Sequence, residues 1–172
     1  AFLIHAEQTY GRDNPYLTYR PFDVEQPPGA QGLDAGAYDL VIAANVLHAT
    51  KDIRHTLRNA KACLKAGGLL LLNEISRNCL FYHLTFGLLE GWWRHEDDEW
   101  RLPGCPALSP RVWQEALALE RVQVRMHRRR RREPDRLRLH PLEKIPGEIE
   151  ADVGLEQDPA DFPEPLLDRV FR

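Results

Sequence analysis

The amino-acid sequence predicts an α/β fold with a parallel β-sheet. Two continuous apolar runs, at residues 40–44 and 69–72, are typical of strands covered on both faces. The stretch between them, residues 52–65, carries apolar residues at helical spacing. A strand, a helix and a second strand in this order predict two parallel neighbours joined by a right-handed crossover.

The elements before the first apolar run are shorter. Residues 2–10 predict an amphipathic helix that ends at Gly11. Residues 17–22 alternate apolar and polar side chains, which predicts a short strand ending at Asp23. A loop that begins with prolines separates it from the strand predicted at residues 38–44.

The remaining elements follow the central helix. Two glycines, Gly67 and Gly68, end that helix and precede a strand predicted at residues 69–74. Ser109 and Pro110 predict the cap and first residue of a helix that reaches about residue 120. A late strand is predicted at residues 122–126.

Composition excludes several classes of function. The 172 residues carry a formal net charge of −3, so bulk charge calls for neither nucleic acid nor an anionic membrane as a partner. No apolar run approaches the roughly 20 residues of a membrane span. The three cysteines have neither metal-ligand spacing nor a disulfide framework, which favours a reduced, cytoplasmic setting.

Residues 128–172 are predicted to form a tail outside the domain at residues 1–127. An arginine run at residues 128–132 precedes a proline-rich, acidic stretch with few aromatic residues, and this composition favours disorder or loose packing. The arginines could bind nucleic acid or an acidic carrier protein, but no nucleic-acid recognition motif accompanies them. A solvated linker is the favoured interpretation.

Polar residues follow both predicted buried strands. Asn45 and His48 come after the first, and Glu74 ends the second. Because parallel sheets bind ligands at the carboxyl ends of their strands, these side chains predict half of a catalytic crevice. Structural interpretations stay open from the pattern alone: a turn cap for Asn45, a backbone-bonded histidine, and a solvated strand end for Glu74.

Three segments together resemble a known family. They are YDLVIAANVLHAT at residues 38–50, GGLLLL at residues 67–72 and LTFGLLEGWWR at residues 84–94. In this order they resemble the C-methyltransferase domains of polyketide synthases, which are class I S-adenosylmethionine-dependent methyltransferases. The resemblance covers roughly residues 1–126 and implies a partial Rossmann-like fold.

One feature of the family has no counterpart in this sequence. The family binds its cofactor through a glycine-rich turn after strand one and an acidic residue after strand two. Neither is present, so the chain is expected to begin inside the domain and to be its C-terminal portion. A catalytically dead structural remnant of a megasynthase is the alternative that this departure favours.

The resemblance assigns roles to five residues. It implies that Asp23 accepts a hydrogen bond from the adenine amino group of S-adenosylmethionine, that the Val24 N–H contacts the ring, and that Asn45 lines the cofactor pocket. It also implies that His48 is the general base and Glu74 its partner. A turn cap is the alternative for Asp23.

The implied substrate is a β-ketoacyl chain on the phosphopantetheine arm of an acyl carrier protein within a polyketide synthase. His48 would remove the α-proton before the carbon is methylated. Five aromatic residues could cover the substrate tunnel: Phe81, Tyr82, Phe86, Trp92 and Trp93. Ordinary helix packing is an equal alternative for them, and a small-molecule O- or N-methyltransferase is the remaining alternative for the whole domain.

Overall fold

The computed structural model describes residues 2–127 and 149–155. Four helices and four strands organise these residues: α1 Phe2–Tyr10, β1 Tyr38–Ala44, α2 Ile53–Ala62, β2 Leu64–Glu74, α3 Leu80–Thr85, α4 Pro110–Leu119, β3 Val122–His127 and β4 Ile149–Leu155. Single 3₁₀ turns connect several of them, including one at Leu47–Ala49 and one at Glu90–Trp93.

The strands form one parallel sheet in the order β1-β2-β4-β3. β1 and β2 are neighbours, with Leu40 opposite Leu69 and Ala44 opposite Asn73, and α2 connects them along the chain. This confirms the predicted strand, helix and strand with parallel neighbours. Because both strands run the same way, the residues that follow Ala44 lie beside the end of β2.

Side-chain caps start the two best-packed helices. The Asp52 carboxylate accepts a hydrogen bond from the His55 N–H at 2.8 Å, and Ser109 Oγ accepts one from Val112 at 3.3 Å. Capping oxygens satisfy N–H groups that have no partner inside the helix. The predicted start of α4 is therefore confirmed.

The predicted end of α2 was wrong by several residues. The helix ends at Ala62, and β2 already begins at Leu64, so the two glycines lie inside the strand. Tyr38 pairs with Leu64 whereas Leu40 pairs with Leu69, so β2 holds an irregular insertion here. Gly67 takes a φ of +73° within it, which a glycine adopts without strain.

The core lies between one face of the sheet and the helices α2 and α4. Its fully buried side chains include Ile53 and Leu57 of α2, Leu70 of β2, and Trp113 and Leu117 of α4. The apolar residues of α2 recur at the spacing that places them on one face, which explains why this face packs on the sheet.

Two predictions near the β1 edge were wrong. Residues 17–22 form no strand, and β1 is not covered on both faces: Leu40 is 46% exposed and Ile42 is 63% exposed. Among the described residues β1 is an edge strand of the sheet, so no strand pairs with its outer side. The exposed Leu40 and Ile42 lie on a face that the described residues leave open. An alternating or apolar sequence shows only which side chains could be buried. A strand also needs a neighbouring strand with which its backbone can form hydrogen bonds.

One strand lies where only a tail was predicted. β4, at Ile149–Leu155, sits in the sheet between β2 and β3. The rest of the predicted tail, residues 128–148 and 156–172, lies outside the described residues, so its predicted disorder stays a prediction. Within the described ranges no helix is both long enough and apolar enough to cross a membrane.

Two leucines of α4 test the position of the core. Leu117 is fully buried, whereas Leu119 on the same helix is 52% exposed. Leu117→Ala should lower the free energy of unfolding by about 2–5 kcal/mol, because it removes buried apolar atoms and leaves a cavity. Leu119→Ala should change it by less than about 1 kcal/mol. Urea unfolding measures both values, and equal losses would contradict this core.

Candidate active site

The ends of β1 and β2 bring the predicted polar residues together. Asn45 follows β1 directly, and its N–H donates a hydrogen bond to the Asn73 carbonyl of β2 at 2.7 Å. Its φ of +53° lies in the left-handed region, which asparagine tolerates better than most residues. The chain therefore turns sharply after the strand, and the 3₁₀ turn at Leu47–Ala49 carries His48 back toward Glu74.

Glu74 is fully buried at the end of β2 and holds this turn. Its Oε1 accepts hydrogen bonds from the Val46 and Leu47 N–H groups at 3.0 and 2.9 Å. Its Oε2 lies 3.4 Å from the His48 backbone nitrogen and 2.6 Å from His48 Nδ1. Four donors thus compensate the burial of a carboxylate, and the alternative of a solvated strand end is excluded.

The contact with Glu74 orients the His48 imidazole. A carboxylate can only accept, so Nδ1 carries a proton in this contact, and the neutral ring keeps its lone pair on Nε2. His48 is 5% exposed, and its ring meets the Trp92 ring edge-on with a centroid distance of 6.0 Å. Nε2 is therefore the ring nitrogen that remains available to a ligand.

His48 lines a pocket of about 230 Å³. The other residues of its wall are mainly apolar: Asn45, Ala49, Ile75, Tyr82, Phe86, Leu89, Gly91 and Trp92. Phe86 stacks on Trp92 with ring centroids 6.0 Å apart, and Tyr82 packs against the same indole at 6.4 Å. Such a wall can hold an acyl chain and keep water away from a reactive carbon.

Two of the predicted tunnel aromatics lie elsewhere. Trp93 is outside the pocket lining; it stacks on His83 at 6.0 Å, and its indole N–H donates to the Gly87 carbonyl at 2.9 Å. Phe81 is also outside and packs edge-on against Tyr82. Phe86 and Trp92 do line the pocket, and their role in a substrate tunnel stays a prediction.

The two residues predicted to hold adenine also lie outside this pocket. The exposed Asp23 forms a turn in which Oδ1 accepts a hydrogen bond from the Glu25 N–H at 2.9 Å, and its backbone N–H donates to Gln31 Oε1. Val24 is buried in the main core, and its carbonyl accepts from Asn59 Nδ2 at 2.9 Å. Asp23 thus has the capping geometry, with its carboxylate still open to solvent.

Asp97 and Arg101 are site neighbours that sequence reasoning missed. Both are buried, and Arg101 Nε lies 2.6 Å from Asp97 Oδ1. The same guanidinium donates to the backbone carbonyls of His48 and Thr50. The only hint in the sequence is the spacing of Asp97 and Arg101, an acidic and a basic residue four positions apart. Exposed ion pairs on helices have the same spacing, so it does not predict that this pair is buried at the site.

A cysteine lies behind the aromatic wall. Cys105 is buried in the cluster that contains Ile75, Tyr82 and Trp92. Burial raises the pKa of the Cys105 thiol, so its thiolate is scarce near neutral pH. The imidazole, rather than this thiol, is the group in this region suited to accept a proton.

Known proteins are similar to this chain in both sequence and architecture. A family model described as a methyltransferase domain matches residues 2–70. The polyketide synthase PksR of Bacillus subtilis (strain 168) is 66% identical over 120 residues, which are 70% of this chain and 5% of that protein. The solved CurJ carbon methyltransferase is 38% identical with a TM-score of 0.67, over 70% of this chain and 31% of that one.

The chain belongs to the family of polyketide synthase carbon methyltransferase domains. The resemblance given by the three sequence segments is thereby confirmed, together with the class I methyltransferase fold. The trans-methyltransferase CalH, solved in complex with SAH, is 37% identical with a TM-score of 0.56, over 64% of this chain and 31% of that one. The chain spans only about a twentieth of PksR and under a third of the solved CurJ and CalH chains.

Replacing Glu74 should destabilise the methyltransferase domain. Glu74→Gln keeps the shape of the side chain but replaces one accepting oxygen with an NH₂ group. Depending on the orientation of the amide, that group faces the N–H groups of Val46 and Leu47 or the backbone N–H and Nδ1 of His48. A buried donor then faces a donor, and we expect a loss of about 1–3 kcal/mol in the free energy of unfolding. Urea unfolding of the domain that contains this chain measures it.

The matched control is Glu96→Gln. Glu96 pairs with Lys51 Nζ at 2.9 Å, but its side chain is 68% exposed. An exposed pair contributes about 0–1 kcal/mol, so this variant should stay close to the parent. Equal losses for the two variants would show that Glu74 is not held as described.

Proposed function

We propose that this chain carries the general base of a polyketide synthase C-methyltransferase domain. The domain would methylate the α-carbon of a β-ketoacyl chain bound to an acyl carrier protein. The observation that carries the proposal is the 2.6 Å contact between His48 Nδ1 and the buried Glu74 carboxylate, on the wall of an apolar pocket. The family supports polyketide C-methylation in general.

The chemistry of the base follows from its surroundings. The α-proton of a β-ketoacyl thioester is acidic because the resulting enolate spreads its charge over two carbonyls. Nε2 of His48 accepts that proton, and Glu74 stabilises the imidazolium that forms while keeping the ring oriented. The aromatic wall excludes water from the carbanionic carbon.

The proposed methyl donor is S-adenosylmethionine, which supplies an electrophilic methyl group when it is bound. The described residues fit its adenine end in part, because the Asp23 carboxylate is exposed and can accept a further hydrogen bond beyond that from Glu25. Asn45 borders the same pocket as His48. The likeness to CalH, solved in complex with SAH, supports this donor.

The wider context is also a proposal. The relatives are polyketide synthases, which supports an acyl carrier protein and the rest of a synthase as partners. A cytoplasmic location stays a prediction from cysteine usage. A structural remnant without activity is the competing proposal, and the intact contact between His48 and Glu74 argues against it.

Removing the imidazole should abolish methylation but spare the cofactor site. His48→Ala deletes the proton acceptor, so we expect the methylation rate to fall by about 10²–10⁴-fold in the complete domain. Affinity for S-adenosylmethionine, measured by calorimetry, should stay near the parental value, because the residues proposed to hold it are unchanged.

The control is His5→Ala, at an exposed position of α1. It should methylate at the parental rate. Parental activity in His48→Ala would remove His48 as the base. A parental domain that binds the cofactor but methylates nothing would favour the structural remnant.

Gly91 offers a way to narrow the pocket without disturbing the fold. It lines the pocket, and an added Cβ there meets no heavy atom within 4 Å. Gly91→Leu should therefore fold normally but raise KM for long acyl chains several-fold more than for short ones, since apolar volume is lost from the wall. Steady-state kinetics with carrier-bound chains of two lengths measure this.

Gly29→Leu is the matched control. Its added Cβ also meets no heavy atom within 4 Å, and Gly29 does not line the pocket. It should leave the KM values for both chain lengths unchanged. If Gly91→Leu has the parental KM for both the short and the long chain, the acyl chain binds outside this pocket.

A further inference from the structure

We infer that Arg101 and Asp97 are positioning residues for methyl transfer, which hold the backbone of the turn that carries His48. The inference rests on the proposed function, because it takes His48 as the base. It concerns a second anchor of the base, on the side of the turn opposite to Glu74.

Arg101 uses all five of its N–H donors. Nε and one Nη2 hydrogen bond go to Asp97, at 2.6 and 3.0 Å. Nη1 donates to the His48 and Pro106 carbonyls at 2.8 Å each, and Nη2 also donates to the Thr50 carbonyl at 3.0 Å. The guanidinium has five donors in a fixed plane, and these five hydrogen bonds use all of them.

Asp97 joins this network to the start of α2. Its Oδ2 accepts a hydrogen bond from the Ile53 N–H at 2.7 Å, in addition to the one from Arg101. Its side chain is 8% exposed and that of Arg101 is 1% exposed, so the pair is shielded from solvent. The pair therefore fixes the turn relative to the first residue of the helix that packs on the sheet.

The two anchors hold opposite sides of one short segment. Glu74 accepts from the N–H groups of Val46, Leu47 and His48, whereas Arg101 donates to the carbonyls of His48 and Thr50. The His48 backbone is thus bonded to a carboxylate through its nitrogen and to a guanidinium through its oxygen. Misplacing a catalytic group by about 1 Å can lower the rate by about 10²-fold. By holding the His48 backbone at both its nitrogen and its oxygen, Glu74 and Arg101 together limit how far Nε2 can move.

Lysine cannot reproduce the arrangement. An ammonium group has three donors around one nitrogen, whereas the acceptors here surround a planar fork. Arg101→Lys keeps the positive charge opposite Asp97 but cannot reach the two turn carbonyls and Pro106 together. Asp97→Asn keeps the shape of the partner but removes its charge and one of its two accepting oxygens.

The experiment compares both variants with the parent in the complete methyltransferase domain, using carrier-bound β-ketoacyl substrate and S-adenosylmethionine. We expect kcat to fall by at least about 10-fold, with KM for the acyl substrate and the cofactor affinity within about 2-fold of the parent. The NMR resonance of the His48 Nδ1 proton should also shift or broaden in both variants, because the ring loses its fixed position against Glu74.

Glu120→Gln is the matched control. Glu120 is a carboxylate of similar burial, and its Oε1 accepts hydrogen bonds from Arg54 at 3.0 Å and Arg58 at 3.3 Å on α2, away from the pocket lining. This variant should leave kcat and the His48 proton resonance unchanged. A loss in the control as large as that in Asp97→Asn would overturn the inference.

Four further outcomes separate the positioning role from the proposed function. Folded variants with parental kcat would overturn the inference, and so would a loss of activity that merely follows the folded fraction measured by thermal melting. Inactive His48→Ala together with fully active Arg101→Lys would overturn the positioning role alone. Parental activity in His48→Ala would instead defeat the proposed function itself.

Discussion

The buried carboxylate of Glu74 is the constraint on which the rest of the site depends. A charge with no solvent contact is stable only when donors surround it, and here three backbone N–H groups and one imidazole do so. Those donors belong to the turn after β1, so the turn can take only a narrow range of shapes. The orientation of His48 is a consequence of satisfying Glu74, and the sheet provides the proximity by pairing β1 with β2 in parallel.

The turn after β1 also forms hydrogen bonds with residues that lie far from it in the sequence. Arg101 connects the carbonyl side of the turn to Asp97 and, through it, to the start of α2. Aromatic residues from the segment after β2 also line the pocket. The pocket is therefore bounded by packed residues of several segments, which favours the precise placement that the proposed proton abstraction requires.

Sequence reasoning succeeded where local chemistry decides the structure. The bounds of α1 and β1 and the capped start of α4 follow from helix signals and apolar runs, and the pairing of His48 with Glu74 follows from two parallel strand tips. It failed where the outcome depends on distant contacts. Residues 17–22 alternate like a strand but pair with no strand among the described residues. Arg101 donates to the His48 carbonyl although the two residues lie far apart in the sequence, and the spacing of residues in the sequence does not predict such a contact.

The proposed proton abstraction by His48 can be measured apart from methyl transfer. A carrier-bound β-ketoacyl substrate, incubated in D₂O with the complete domain and no methyl donor, reports exchange at its α-carbon by mass spectrometry. The parental domain should accelerate this exchange, and His48→Ala should reduce it to the rate without enzyme, a fall of about 10²-fold or more. Exchange at the parental rate in His48→Ala would show that another group is the base and would contradict the account.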